Sequence, residues 1–126
     1  MKGGIATARR ASEHGASVAV VEKQALGGTC VNVGCVPKKI MWTAANLAEH
    51  WNDYEPYGFN VQPNDVSFAL KPLKQRRDSF IERLHSIYQK NLEKSGVTIC
   101  HGTGSFLSAH EIKVGDKVIR GDKILI

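Results

Sequence analysis

The apolar and polar positions along the chain predict a short α/β arrangement followed by small antiparallel strands. Gly4 to His14 ("GIATARRASEH") is alanine-rich and predicts a helix, with Gly15 placed to stop it. Ser17 to Glu22 ("SVAVVE") is a short apolar run, the pattern of a buried strand. Lys23 to Thr29 reads as a loop, and a second helix is expected from about Pro37 to His50. The aromatic-rich stretch "WNDYEPYGFNVQPND" is irregular, broken by Pro56 and Pro63. A long helix is expected from Phe68 to Lys94, with Asp65 or Ser67 near its cap. Leu73, Phe80, Leu84, Ile87, Tyr88 and Leu92 recur at helical spacing and predict its buried face. Gly96 ends that helix, and Val97 to Cys100 predicts a strand. "SFLS", "EIKV" and "KVIR" predict antiparallel strands, the last two joined by a Gly115–Asp116 hairpin turn. "DKILI" reads as one more apolar strand.

The chain of 126 residues is 42% hydrophobic and 23% charged, which suits one modest globular domain. The start of the sequence lacks the apolar segment of a secretory signal, and no apolar run reaches the roughly 20 residues of a membrane span. A reducing, cytoplasmic setting is therefore expected, where a disulfide is more often catalytic than structural. The net charge of +5 raises nucleic-acid binding. The basic residues are dispersed, however, and "KQRRD" (Lys74 to Asp78) reads as a solvated helix face, so no nucleic-acid partner is expected. Local basic clusters suit an anionic small substrate or cofactor better.

Two of the 3 cysteines fall in "GGTCVNVGCVPKK", Gly27 to Lys39. A disulfide needs Cα atoms roughly 4.4–6.8 Å apart. Residues five apart in a regular helix are separated by about 8–9 Å, so Cys30 and Cys35 pair only where the backbone leaves regular helix. Gly34 makes that departure cheap, and Pro37 suits the first turn of a following helix. Lys38, Lys39 and the helix N-terminus supply the electropositive setting that favours a thiolate. A structural zinc site would need a second chelating pair, which the adjacent Cys100 and His101 do not readily make. On these residues alone, a redox disulfide, two core thiols and half of a metal site all remain open readings, in that order of preference.

A second pattern lies upstream. A helix that opens on Gly3 and Gly4 and leads to a strand ending in an acid resembles the second half of a βαβ dinucleotide-binding unit. Glu22 follows Gly4 by 18 positions, near the ~20 between the glycine fingerprint and the ribose-binding acid. Only the tail of that fingerprint is present, so a plain helix–turn–strand is the competing reading.

The segment Gly27 to Lys39 resembles, almost letter for letter, the redox-active segment of the pyridine nucleotide–disulfide oxidoreductases. "PKKIMW", "GGIATARRA", "VAVVEK" and "RLHSIYQKNLEKSGV" are similar to the branch of that family that reduces glutathione disulfide. The resemblance extends over essentially all of residues 1–126 and implies an α/β fold: an incomplete Rossmann-like FAD-binding domain with a small antiparallel β-meander. The first strand, the NADPH domain and the dimerisation domain of the family have no counterpart in the sequence, so the chain alone is expected to hold FAD weakly and not to oxidise NADPH. The resemblance implies that Cys30 and Cys35 form the redox disulfide, Cys30 attacking the substrate and Cys35 lying against the flavin. It places Lys38 near the flavin's reactive nitrogen, and Gly3, Gly4, Glu22, Gly28, Thr29, Thr103 and Gly104 along the cofactor. It places Arg9, Arg10, Lys39 and Tyr88 at the glutathione site. It implies NADPH as electron source, glutathione disulfide as substrate, a homodimer in the whole enzyme, and a cytoplasmic or mitochondrial location. No metal is implied. Arg9 and Arg10 as surface charges, Tyr88 as a packing residue and Lys39 as a solvated lysine are the plainer readings. A thioredoxin-reducing relative of the large type and a non-enzymatic thiol-bearing remnant are the alternative functions. Cys100 and the histidines are read as structural or surface residues.

Overall fold

The computed structural model describes residues 2–60 and 66–126. Helix α1 (Lys2–Glu13) packs Ile5 and Ala8, three positions apart on one face, into the core. It ends as the sequence predicts. Gly15, at φ +85°, donates its N–H to the Ser12 carbonyl, and Ala16 donates to that of Ala11. This is the paired closure that a left-handed glycine makes possible at a helix C-terminus. The chain then reverses into β1 (Ala19–Glu22).

β1 pairs in parallel with β2 (Thr98–His101), in the register Ala19↔Thr98 to Glu22↔His101. Parallel strands need a crossover, and here it is long. It carries α2 (Gly28–Asn32), α3 (Cys35–His50), two single 3₁₀ turns (Trp51–Asp53 and Glu55–Tyr57) and α4 (Leu70–Lys94). The core lies between α1, α4 and this strand pair. Ile5, Ala8, Leu26, Leu92 and Val97 are buried in it, with Val18, Val20, Tyr88 and Ile99 packed against them. Gly96, at φ +68°, closes α4 as Gly15 closes α1: Gly96 donates to Glu93 and Val97 to Leu92. The Val97 and Leu92 side chains then meet in the core, the apolar contact that accompanies this closure.

Beyond β2, β3 (Gly104–Ser108), β4 (Glu111–Val114) and β5 (Lys117–Arg120) form the expected antiparallel meander. Val114 and Lys117 pair across Gly115–Asp116. Gly115 takes φ +60° at the first central position, where a type II′ turn needs glycine.

Six expectations change. Residues 28 and 29, expected in a loop, open helix α2, and α3 begins at Cys35 rather than Pro37 because Gly34 already serves as its N-cap. α4 begins at Leu70 rather than Phe68. Pro72 then falls in its first turn, where a missing N–H costs nothing. Ser67 makes no cap, since Ala69 holds that position without a side-chain bond; Asp65 and Pro63 lie outside the described residues. The inward stripe of α4 runs through Leu73, Ile81, Leu84, Tyr88 and Leu92, while Phe80 (45% exposed) and Ile87 (39%) face outward. The true stripe follows the drift of a 3.6-residue turn, which leaves Phe80 and Ile87 one position to the side. Finally, "KILI" is not a strand: a strand needs a ladder partner, and no described residue provides one.

Candidate active site

The cysteine segment is built around two crowded glycines. Gly27 sits at φ +107° just before α2, and a Cβ on it would lie 2.7 Å from that of Val31, which is 1% exposed. Gly34 separates α2 from α3. A Cβ there would lie 2.8 Å from the Thr29 carbonyl oxygen and 3.1 Å from Cys30 Cα. Without a side chain at Gly34 the start of α3 closes on α2, and Cys30 and Cys35 come within a Cα–Cα distance of 4.9 Å and form a disulfide. The departure from regular helix is thus located at residues 33 and 34. Val33 N–H still bonds to Thr29 O, and Lys38 N–H starts the new ladder at Gly34 O.

Cys35 opens α3, so it stands at the positive end of a 16-residue helix. Lys38 and Lys39 follow at i+3 and i+4 and share its face. Both are exposed, and the Lys39 carbonyl accepts the Thr43 hydroxyl at 2.8 Å. Cys100, half-buried on β2, takes no part in the bridge. Among the described residues, no three His, Cys, Asp or Glu side chains converge as metal ligands would.

A second group gathers at the carboxyl end of the parallel pair. Glu22 closes β1; its carboxylate accepts the Gln24 N–H at 3.0 Å and its carbonyl accepts the Gly102 N–H at 2.9 Å. Thr103 and Gly104 follow directly, and a Cβ on Gly104 would sit 3.3 Å from Val21 Cγ1, so the chain there passes close to β1. Gly3 and Gly4 lie in the first turn of α1, with nothing within 4 Å of where a Cβ would be.

The remaining site candidates are dispersed. Arg9 donates through Nε to Ser95 Oγ at 3.2 Å, at the end of α4, and Ser12 donates to the Ser95 carbonyl beside it. Arg10 is exposed and pairs with Glu13 one turn on, at 3.0 Å. Tyr88 is half-buried against the core. Sequence reasoning passed over Asn32 and read His85 only among the structural or surface histidines. Asn32 donates to the carbonyls of Ala25, Leu26 and Gly28, and its Oδ1 meets His85 Nε2 from α4. The available signal was a single carboxamide set between two valines inside the cysteine loop.

A short-spaced disulfide at a helix start, carried in the crossover of a parallel strand pair whose carboxyl end holds an acid and a glycine turn, defines a class. Residues 2–126 match the family profile "Pyridine nucleotide-disulphide oxidoreductase", and the chain belongs to that family. Within it, the chain is similar to glutathione reductases. It is 45% identical to "Glutathione reductase" of Schizosaccharomyces pombe, over 98% of this chain and 28% of that protein. It is 48% identical to "Glutathione reductase" of Yarrowia lipolytica, over 79% of this chain and 22% of that protein. The chain thus spans about a quarter of the length of these relatives. Among the described residues, no helix is long and apolar enough to cross a membrane.

Proposed function

We propose that this chain carries the disulfide centre of a flavoenzyme that reduces glutathione disulfide with NADPH. The observation that carries the reading is the Cys30–Cys35 bridge at the start of α3, with Lys38 and Lys39 on the face of Cys35. In the dithiol form the Cys30 thiolate attacks one sulfur of glutathione disulfide. The substrate S–S bond breaks, one glutathione thiolate leaves and takes up a proton, and a mixed disulfide remains on Cys30. The Cys35 thiolate then attacks the Cys30 sulfur, the second glutathione leaves, and the bridge reforms. Two electrons have passed from the cysteine pair to the substrate. The lysines and the α3 dipole favour both attacking thiolates. They also suit a substrate with four carboxylates and two ammonium groups.

The described residues fit FAD. The open first turn of α1 at Gly3 and Gly4 leaves backbone N–H groups for a pyrophosphate, and Glu22 offers an acceptor for a ribose hydroxyl. Thr103 and Gly104 would lie along the adenine end, and Gly28, Thr29 and Lys38 near the reactive ring. When bound, FAD supplies two-electron transfer from NADPH to the disulfide. Arg9, Arg10, Lys39 and Tyr88 are the proposed contacts to glutathione, and Arg9 would exchange its Ser95 bond for a substrate carboxylate. A homodimer and a cytoplasmic or mitochondrial setting belong to the same reading.

The test is chemical trapping. A Cys35→Ser chain, reduced and mixed with glutathione disulfide, is expected to hold one glutathione on Cys30, seen by intact mass and peptide mapping. Label on Cys100 instead, or on no cysteine, counts against the reading.

A further inference from the structure

The carboxamide of Asn32 is fully engaged two residues after Cys30 and three before Cys35. Its Nδ2 donates to the carbonyls of Ala25 (3.2 Å), Leu26 (3.4 Å) and Gly28 (2.9 Å), which belong to the turn leading into α2. Two N–H bonds serve three acceptors, one of them shared. Because the nitrogen faces carbonyls, the orientation of the amide is fixed and Oδ1 is left to accept. Its partner is Nε2 of His85, 53 positions away on α4. His85 must therefore carry its hydrogen on Nε2. The Nε2–H tautomer and the imidazolium both do so; the Nδ1–H tautomer does not.

We infer that Asn32 and His85 are positioning residues for the disulfide exchange. Asn32 ties the incoming turn to α2, and His85 ties α2 to the long helix that forms one wall of the core. When the bridge opens, nothing covalent keeps Cys30 against Cys35. The Asn32–His85 link then holds α2 in place, so that the Cys30 sulfur stays in reach of Cys35 for the resolving attack. The inference rests on the redox reading of the cysteine pair. Its physical content is an effective concentration: the tighter the two thiols are held, the more the closed disulfide is favoured over the dithiol.

The experiment equilibrates the chain in graded glutathione redox buffers and quantifies the Cys30–Cys35 bridge by alkylation and mass spectrometry. Asn32→Ala is expected to lower the disulfide-forming equilibrium constant about ten-fold, which raises the potential by about 30 mV for a two-electron couple. His85→Leu should lower it about three-fold, having lost one link of several. His85→Gln, whose amide nitrogen reaches the place of Nε2, should return it to within about two-fold of the parent. A general loss of packing would not be rescued by Gln. A parent chain whose bridge does not cycle overturns the functional reading together with this inference. A bridge that cycles in the parent, with all three variants at the parental potential, overturns the inference alone. Should the variants fail to fold, the nitrogen spectrum of His85 in the unsubstituted chain still decides: Nε2–H supports the link, and a neutral Nδ1–H ring overturns it.

Discussion

At Gly34 the room for a side chain runs out. A methyl group there would press on the Thr29 carbonyl at 2.8 Å and on Cys30 Cα at 3.1 Å, both backbone atoms that yield only if the two helices part. Gly34→Ala is expected to cost about 1–3 kcal/mol of local strain. That strain is relieved when α2 and α3 separate, so the disulfide equilibrium should shift toward the dithiol by about ten-fold for each 1.4 kcal/mol. Redox titration of the bridge checks this, and an unshifted equilibrium would show that the loop has slack. The same residues mark what the sequence disclosed. Gly34 and the cysteine spacing predicted a break in the helix, because glycine is the residue that permits one. The sequence did not disclose that Gly28 and Thr29 are helical, since a single turn of helix leaves no periodicity to read. Nor did it disclose the Asn32–His85 contact, which spans 53 positions and depends on how α2 is set against α4.

Among the elements, α4 supports the most. Its C-terminal turn holds Leu92 at 0% exposure, next to Val97, and both depend on Gly96 at φ +68°. Gly96→Ala should destabilise the chain by about 1–2 kcal/mol through the left-handed backbone alone. Leu92→Ala should cost about 2–5 kcal/mol, the usual range for a cavity in a packed site. Urea midpoints would separate the two, and a Leu92 variant as stable as the parent would place the core elsewhere. Helix identity was legible here because 25 residues carry many turns of periodic signal. Its facing was less so. Phe80 and Ile87 have the right chemistry for a core, and only packing against α1 and α2 reveals that they stand to the side of the contact. "KILI" misled for a related reason: β-branched content expresses a preference for strand, and pairing requires a neighbour.

Taken whole, the molecule is a cation with net charge +5, and Arg10, Lys38 and Lys39 are exposed. The reduced chain should therefore form its mixed disulfide several-fold faster with anionic glutathione disulfide than with cationic cystamine at low ionic strength. The advantage should shrink as salt shortens the screening length to about 3 Å near 1 M. Stopped-flow or quenched-flow alkylation gives both rates; equal rates at low salt would mean that these charges do not steer the substrate. Substituting Lys39 and Arg10 singly by Gln apportions the effect. The α/β class, the meander and the site's cysteines were all readable from sequence at this scale, since each is carried by local pattern or by a long motif. The parallel pairing of β1 with β2 was not read from the sequence, because no local signal joins strands so far apart.

That distance has a consequence for how the protein fails. The cysteine bridge closes across 5 positions, whereas the strand end that gathers Glu22, Thr103 and Gly104 exists only after residues 19 and 98 have met. By loop-closure entropy the second event is dearer by roughly 2 kcal/mol before any contact is made. Mild denaturation or an interrupted synthesis would therefore dissolve the strand-end site first and leave the thiol pair competent to react. On the proposed reading, a chain in that condition has lost the strand end that would meet the cofactor, yet its reduced thiols still exchange with a disulfide they meet. The half of the site most easily lost is the half that would tell the other half what to do.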